Sequence, residues 1–330
     1  MAGTAAAGPA LADPSSTEPA TGEGAKRNLA VTLGITADMA FAAAAVLMSL
    51  ERHPPADDFD VVLFHGGVPA RDLALLSAIR DCRAVRYHCP PAIRRSIAAD
   101  TLRAFSDMTY AKYECFDLLE RYRRVAWLDV DILIRGDTTA IIERSRTGAA
   151  FARENKPLGS NFSRDVPGFD MARPFFNAGV FVLSDGLPGR ESAREWLLDA
   201  TVRYADRIIM GEQGILNLWL QRQGVEPVDL LPEYNVFRHR PGAERALLVH
   251  AVGHHKPWMD FGDARWNADY QRWLAMGGTP CPVWKTARFM AGRRPHPLRH
   301  PAELLPRAAQ IARFLARRAT QARAARTIGD

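Results

Sequence analysis

The sequence is poor in cysteine, and its four cysteines do not have the spacing of a metal or disulfide motif. The 330-residue chain contains Cys82, Cys89, Cys115 and Cys281, and no two of them form a Cys-x-x-Cys pair. Zinc sites are typically built from such closely spaced pairs, and disulfide frameworks occur in short, cysteine-rich secreted chains, so we expect neither. Because thiols stay free in a reducing compartment, we expect a cytoplasmic protein.

The sequence also lacks a long apolar run. Residues 40–50 are apolar, but they are shorter than the roughly 20 residues that span a bilayer, so we predict a buried helix there. Residues 1–27 are rich in Ala, Gly, Pro, Ser and Thr, without the basic and apolar regions of a signal peptide. We therefore predict that residues 1–27 form a disordered tail.

The net positive charge is confined to one end of the chain. The formal charge is +6, but residues 286–330 hold ten arginines, no lysine and two acids, a net of +8 that leaves −2 elsewhere. Apolar residues recur at helical spacing there, which predicts a basic amphipathic helix. Such a helix can lie on an anionic membrane surface or pack on the body, and both alternatives stay open. Because the remainder is acidic, we do not expect nucleic-acid binding through this segment.

Strands and helices alternate in the first half of the sequence. We predict strands at residues 29–35, 60–65, 84–87 and 124–128, and helices at residues 39–53, 72–79 and 112–122. In the second half we predict strands at residues 148–152 and 176–183, helices at residues 192–205 and 212–223, and a loop at residues 156–174. This order indicates an α/β fold, a Rossmann-like, mostly parallel sheet with helices on both faces. A change of composition after Pro280 predicts one domain at residues 28–280 and an extension at residues 281–330.

Two carboxylates interrupt the apolar residues 125–134. Asp129 and Asp131 are ionised groups, which a buried strand does not tolerate unpaired, so we expect them where the strand leaves the sheet. Residues i and i+2 of an extended chain point the same way, and two carboxylates facing one point suit a divalent cation. The alternative is a simple turn after a strand.

Five further motifs surround this pair in the sequence. In chain order, the six are the strand end Thr36-Ala37-Asp38, Tyr110-Ala111-Lys112, Asp129-Val130-Asp131, Phe176-Asn177-Ala178-Gly179-Val180, Glu212-Gln213-Gly214 with Asn217, and His250-x-x-Gly253-x-x-Lys256-Pro257-Trp258. With these motifs in this order, the chain resembles the retaining glycosyltransferases of family 8 over roughly residues 28–260. That family includes glycogenin and the bacterial lipopolysaccharide galactosyl- and glucosyltransferases.

The resemblance implies a GT-A fold for the catalytic domain at residues 28–280, with a UDP-sugar donor and Mn²⁺, or alternatively Mg²⁺. It implies metal ligands, donor-binding residues and a residue beside the reacting anomeric carbon. The metal ligands would be Asp129, Asp131 and His250; the donor-binding residues Thr36, Asp38, Lys112, Val130, Asn177, Ala178, Gly253 and Lys256; and the catalytic residues Gln213 and Glu212. The acceptor would be a glycan or lipid-linked glycan, such as a lipopolysaccharide core, reached from the inner face of the membrane.

The motif around Gln213 departs from the family pattern. Aspartates usually flank this glutamine, whereas Glu212 and Gly214 do so here, so we expect the donor specificity to differ. We favour a front-face mechanism. A covalent mechanism would require a carboxylate nucleophile, and Glu212 is the nearest in sequence and Glu154 the second candidate.

Two other functions remain open, namely a self-glycosylating initiator like glycogenin and a non-catalytic nucleic-acid-binding module.

Single residues also have simpler explanations. His250 can be a core histidine, Asn177 a turn cap, and Lys112 an ion-pair partner of Glu114 or Asp117 on one helix.

Overall fold

The computed structural model describes residues 25–145, 148–230 and 232–286. The tail predicted at residues 1–27 lies outside them except for its last three residues, of which Arg27 begins the first strand. The helix predicted in the basic extension also lies outside the described residues. None of the described helices is long and apolar enough to cross a lipid bilayer.

Strands and helices alternate through the first half of the chain, as predicted. The strands are β1 (Arg27–Ile35), β2 (Phe59–His65), β3 (Cys82–Arg86), β4 (Tyr122–Leu128), β5 (Ile132–Ile134), β6 (Ala149–Pro157), β7 (Pro174–Ser184), β8 (Val228–Asp229), β9 (Val236–Phe237) and β10 (Leu248–His250). The helices are α1 (Ala40–Arg52), α2 (Ala70–Ile79), α3 (Pro91–Ser96), α4 (Ala99–Phe105), α5 (Glu114–Leu118), α6 (Thr139–Glu143), α7 (Ala193–Arg203), α8 (Gln213–Arg222), α9 (Pro257–Asp260) and α10 (Ala264–Ala275). Short 3-10 helices cover Asp107–Tyr113, Leu158–Asn161, Arg190–Ser192, Gly253–His255 and Val283–Lys285.

Seven strands form the main sheet, in the order β3-β2-β1-β4-β7-β6-β8. The pairs β2–β3, β1–β2, β1–β4 and β6–β8 are parallel, and β7 runs antiparallel to β4 and β6. The predicted mostly parallel sheet is therefore confirmed. A second sheet, in the order β5-β10-β9, had not been predicted, and its antiparallel β5–β10 pair places His250 opposite Ile132.

Both faces of the main sheet are buried, which explains why the second half of β4, residues 125–128, is apolar without alternation. Val125 and Trp127 face a core shared with α7 and α8, whereas Ala126 and Leu128 face a core shared with α1 and α10. All four side chains are almost completely buried. Strands covered on both sides by helices have no solvent face and so need no polar alternation. Residues 40–50 are buried in α1, as predicted.

The segment before β4 differs from the prediction. Residues 112–122 do not form one helix, because a 3-10 helix ends at Tyr113, α5 ends at Leu118, and Tyr122 already belongs to β4. The Tyr122 hydroxyl donates to Asp60 Oδ2 at 2.7 Å, a contact distant in sequence that apolar spacing does not reveal. Similarly, the loop predicted at residues 156–174 begins as the end of β6 and a 3-10 helix.

Candidate active site

The side chains of Asp129, Asp131 and His250 converge at the carboxyl end of β4. One ligand atom from each lies within 4.8 Å of the others. The Nε2 atom of His250 is 3.4 Å from Asp131 Oδ1 and 3.9 Å from Asp129 Oδ2. Two carboxylates and one imidazole around one point form a donor set that fits a divalent transition metal. The structure thus brings together the three ligands that the sequence predicted.

Backbone hydrogen bonds between neighbouring strands fix the two carboxylates. The Asp129 N–H donates to the carbonyl of Gly179 in β7 at 2.8 Å, and the Ala251 N–H donates to the carbonyl of Asp131 at 2.9 Å. The first bond attaches the turn to the main sheet, and the second attaches it to the small sheet. The turn after β4 is therefore a rigid connection between the two sheets.

Two asparagines determine which nitrogen of His250 faces the carboxylates. The Gly179 N–H donates to Asn177 Oδ1 at 2.9 Å, which fixes the orientation of the Asn177 amide. The orientation of the Asn235 amide follows, because its NH₂ group must face that oxygen. Asn235 Nδ2 donates to the same Asn177 oxygen at 2.9 Å, which leaves Asn235 Oδ1 facing His250 Nδ1 at 2.8 Å. Because an amide oxygen only accepts, Nδ1 carries the proton and Nε2 offers its lone pair to a metal.

Gly179 makes room for this arrangement. A Cβ added at Gly179 would lie 2.7 Å from His250 Nδ1 and 3.0 Å from Asn177 Oδ1. Both distances are shorter than ordinary contacts of a methyl group. The glycine of the Phe-Asn-Ala-Gly-Val motif is therefore required by the position of the histidine.

Lys256 lies beside the three candidate metal ligands. Its Nζ contacts Asp131 Oδ2 directly. Burial alone would raise the pKa of the Asp131 carboxyl, but the positive charge of Lys256 outweighs it and holds that pKa well below its ordinary value. Asp131 is thus ionised, as a metal ligand must be. Gly253, three residues before Lys256, has a φ of +61°, and no atom of the described residues lies within 4 Å of a Cβ added there, so the space beside Gly253 is open.

Lys112 is buried between two carboxylates. Its Nζ is 2.5 Å from Glu212 Oε1 and 3.2 Å from Asp129 Oδ1. Burial alone would lower the pKa of the Lys112 ammonium, but Asp129 and Glu212 outweigh it and hold that pKa above its ordinary value. Lys112 is therefore a cation at neutral pH. The alternative partners, Glu114 and Asp117, pair with Arg194 instead.

Asp129 and Glu212 are each held by a second donor. The indole Nε1 of Trp127, two residues earlier in the chain, donates to Asp129 Oδ1 at 2.7 Å. The other oxygen of Glu212, Oε2, accepts from the Thr109 hydroxyl. Both oxygens of Glu212 are thus occupied, and the residue is only 3% exposed.

Gln213 is the first residue of α8, which is joined to β7. The side chain of Asn217 joins α8 to β7, because its amide accepts from the Phe176 N–H at 2.8 Å and donates to the carbonyls of Phe176 and Gln213 at 2.8 and 2.7 Å. Gln213 is half-buried, and its side-chain amide has no hydrogen-bond partner among the described residues. Asn217 was part of the motif, but only the structure shows that it positions Gln213.

The other residues predicted to bind the donor are Thr36, Asp38, Val130 and Ala178, and they differ in their exposure and hydrogen bonding. Thr36 Oγ1 donates to Asp38 Oδ1 at 2.6 Å just beyond β1, and Lys285 Nζ is 3.2 Å from Asp38 Oδ2. Val130 is half-buried between the two metal carboxylates. Ala178 is completely buried in the core next to α8, so the structure does not place it at the surface of the site.

Glu154 adds a buried carboxylate near Asn177. Its Oε1 accepts from Asn177 Nδ2 at 3.2 Å, and its Oε2 is buried without a hydrogen-bond partner in the described part of the chain. The Arg240 guanidinium lies 3.7 Å from that oxygen. Glu154 is therefore a neighbour of the predicted sugar-binding residue, 23 positions away in sequence.

Comparison with known proteins links this geometry to one family. The family model described as Glycosyl transferase family 8 matches residues 30–262. The chain is 26% identical over 182 residues to the glycosyltransferase GlyE of Streptococcus pneumoniae serotype 4. That match covers 51% of this chain and 41% of GlyE, so the chain corresponds to less than half of the curated relative.

Solved structures share the fold. A crystal structure of the galactosyltransferase LgtC with donor and acceptor sugar analogs superposes with a TM-score of 0.58 at 17% identity, covering 75% of this chain and 99% of LgtC. The apo form of GlyE superposes with a TM-score of 0.51 at 20% identity, covering 77% of this chain and 65% of the GlyE chain. These neighbours have the GT-A fold, so the predicted fold is confirmed.

Proposed function

The chain belongs to glycosyl transferase family 8, and from that membership we propose that it moves glucose or galactose from a UDP-sugar to a glycan acceptor with retention of configuration. The observation that carries the proposal is the convergence of Asp129, Asp131 and His250 with Lys112 and Lys256 at one strand end. This arrangement combines a metal donor set with two cations, as the departure of a diphosphate requires.

Asp129, Asp131 and His250 are proposed to hold Mn²⁺. The imidazole nitrogen in the donor set favours Mn²⁺ over Mg²⁺, which prefers oxygen ligands. When bound, the metal stabilises negative charge on the leaving diphosphate as a Lewis acid. The fit rests on three features of the chain: an ionised Asp131, the free Nε2 of His250, and the space left by Gly179.

Two lysines are proposed to support the same charge separation. Lys256 contacts Asp131 from a loop that has open space beside Gly253. We therefore propose that the Lys256 ammonium binds the diphosphate. Lys112 is fixed by Glu212 and Asp129 and adds a buried positive charge behind the metal carboxylate. Buried charges act strongly because the surrounding dielectric constant is low.

The other end of the donor is assigned to polar groups on β7 and α8. Asn177 and Gln213 are proposed to contact the sugar, since their amide oxygens can stabilise an oxocarbenium-like carbon. Thr36, Asp38 and the backbone of Val130 are proposed to bind the nucleoside. Gly214 replaces the acid that is usual in the family, so contacts to the sugar hydroxyls differ here.

We favour a front-face mechanism for the transfer. The bond between the anomeric carbon and the diphosphate oxygen breaks with its electron pair on that oxygen, the acceptor oxygen attacks from the same face, and its proton moves to the phosphate. Glu212 is a poor nucleophile because Lys112 and Thr109 occupy both of its oxygens. Glu154, whose Oε2 has no hydrogen-bond partner among the described residues, is the carboxylate that a covalent alternative would use.

The acceptor is proposed to be a separate glycan, such as a lipopolysaccharide core. A self-glycosylating initiator would need an accessible acceptor tyrosine. The sequence contains seven tyrosines, all within the described residues, of which six are buried and Tyr204 is half-buried. This burial favours a separate acceptor over self-glycosylation.

A donor-hydrolysis assay tests this function. The protein is incubated with a panel of nucleotide sugars and Mn²⁺, and the release of the nucleotide is measured, with chelator as the control. We expect UDP release from UDP-glucose or UDP-galactose and none after chelation. Release from other nucleotides only, or release that is insensitive to chelation, would contradict the proposal.

A further inference from the structure

Four basic side chains are exposed at one rim of the site, and we call Lys156, His239, Arg240 and His255 the basic rim. The rings of His239 and His255 stack with centroids 4.6 Å apart. Within the described part of the chain, only Arg240 of this group has a carboxylate at ion-pair distance. The basic rim is therefore a local excess of hydrogen-bond donors and positive charge on a domain whose overall charge is slightly negative.

Direct contacts connect the basic rim to the metal ligand His250. The Phe237 ring lies 5.7 Å from the His250 ring, and the Arg240 guanidinium carbon lies 4.4 Å from the centre of the Phe237 ring. The Arg238 N–H, between these residues, donates to the His250 carbonyl at 3.0 Å. The basic rim is thus one layer of side chains away from the metal site.

The basic rim also borders the sugar end of the site. Arg240 contacts Glu154, and Glu154 accepts from Asn177, the proposed sugar contact. Lys156 is exposed and lies two residues after the buried Glu154 in β6. The pKa of His239 is lowered by burial and then by His255, Arg240 and Lys156, which places those groups around it.

The donor does not account for these cations. Its diphosphate is assigned to the metal ligands and to Lys256, whereas Arg240 lies beyond Asn177 at the other end of the donor. A second negatively charged ligand that approaches the sugar would meet the basic rim first. In glycosyl transfer, the ligand that approaches the sugar is the acceptor.

We propose that the basic rim binds an anionic group of the acceptor, so that the acceptor is a phosphate- or carboxylate-bearing glycan. This inference rests on the function proposed above and specifies its substrate class. Lys156 and Arg240 supply charge-assisted hydrogen bonds, and the exposed charges attract the acceptor from a distance. Binding through exposed charges weakens as salt increases.

Matched sugars test the proposal. Galactose, galactose 6-phosphate and galacturonate are titrated into the full chain saturated with Mn²⁺ and UDP, and binding is followed by ligand-observed NMR. We expect both anionic sugars to bind, galactose to bind at least about tenfold more weakly, and high salt to reduce the difference. In a Lys156→Gln, Arg240→Gln double variant, the affinity for the anionic sugars should fall about tenfold.

Arg203→Gln is the matched control. Arg203 is an exposed cation on α7 that pairs with Asp199, so its loss should leave the affinity for the sugars unchanged. Equal binding of galactose and its anionic forms would overturn the inference, as would anionic binding that UDP abolishes, because the basic rim would then serve donor phosphates. Absent UDP release in the donor-hydrolysis assay would refute the proposed function, whatever these sugars do.

Discussion

At the scale of single residues, Asn235 determines how His250 can act. Asn235 is 7% exposed and holds a positive φ of 59°, a conformation that asparagine tolerates better than most residues. Its amide connects His250 to Asn177, so the metal ligand and the proposed sugar contact share one neighbour. Hydrogen bonds of this kind to metal-binding histidines orient the ring and raise its basicity.

Replacing Asn235 should therefore weaken metal binding. Asn235→Gly removes the amide while still allowing a positive φ, and we expect the affinity for Mn²⁺ to fall about tenfold or more. Asn235→Asp keeps an acceptor for His250 and should lose less. Mn²⁺ titrations followed by electron paramagnetic resonance measure both, with thermal unfolding as the check on folding. Unchanged Mn²⁺ affinity in a folded Asn235→Gly variant would show that His250 needs no such partner.

Glu212 provides a second test at the scale of residues. Glu212→Gln leaves the buried ammonium of Lys112 with Asp129 as its remaining carboxylate. We expect the free energy of unfolding to fall by about 3 kcal/mol. Denaturant unfolding measures this loss. Glu191→Gln, on a largely exposed side chain, is the control and should leave stability unchanged. A glycosyl adduct trapped on Glu212 of the unaltered protein would contradict its assignment as an ion-pair partner.

At the scale of elements, the junction of α8 with β7 holds the two proposed sugar contacts, Gln213 and Asn177. Asn217 makes two hydrogen bonds across this junction, both to the Phe176 backbone, and a third to the Gln213 carbonyl within α8; all three are buried or partly buried. Gln213 is the first residue of α8, and Asn177 follows Phe176 in β7. The distance between the two proposed sugar contacts is therefore set by one side chain.

Asn217→Ala should disturb both stability and transfer. The variant leaves the Phe176 backbone groups without partners, and we expect a loss of about 2–4 kcal/mol in the free energy of unfolding. Since Gln213 would no longer be fixed against Asn177, kcat for UDP release should fall more than the affinity for UDP. Initial-rate assays measure kcat for UDP release, and UDP titration measures the affinity for UDP. A variant with a large loss of stability and normal kcat would show that the junction does not position the sugar.

The elements also show what could be predicted from the sequence. The apolar run of β4 that ends at Asp129 predicted where the two carboxylates of the proposed metal site lie, because parallel strands place ligands at their carboxyl ends. The small sheet could not be predicted, since β5 and β10 have three residues each and carry no periodicity. The partner of Lys112 is 100 residues away in sequence, so local spacing suggested Glu114 and Asp117 instead.

At the scale of the whole molecule, the two sheets meet at the turn that contains Asp129 and Asp131, two of the proposed metal ligands. The main sheet holds Asp129 through Gly179, and the small sheet holds Asp131 through Ala251. Neither sheet alone would bring His250 to the two carboxylates. A change in either sheet that moved β10 relative to β4 would therefore separate the metal ligands.

The measurement that tests this account most directly is UDP release by Asp131→Asn with Mn²⁺ and the donor accepted by the unaltered protein. The substitution keeps the shape of the side chain but removes the charge that pairs with Lys256 and binds the metal. Asp199→Asn, at an exposed ion pair on α7, is the control. We predict that Asp131→Asn releases UDP only at the background rate while Asp199→Asn is fully active. UDP release by a folded Asp131→Asn at the rate of the control would contradict the metal site and the function built on it.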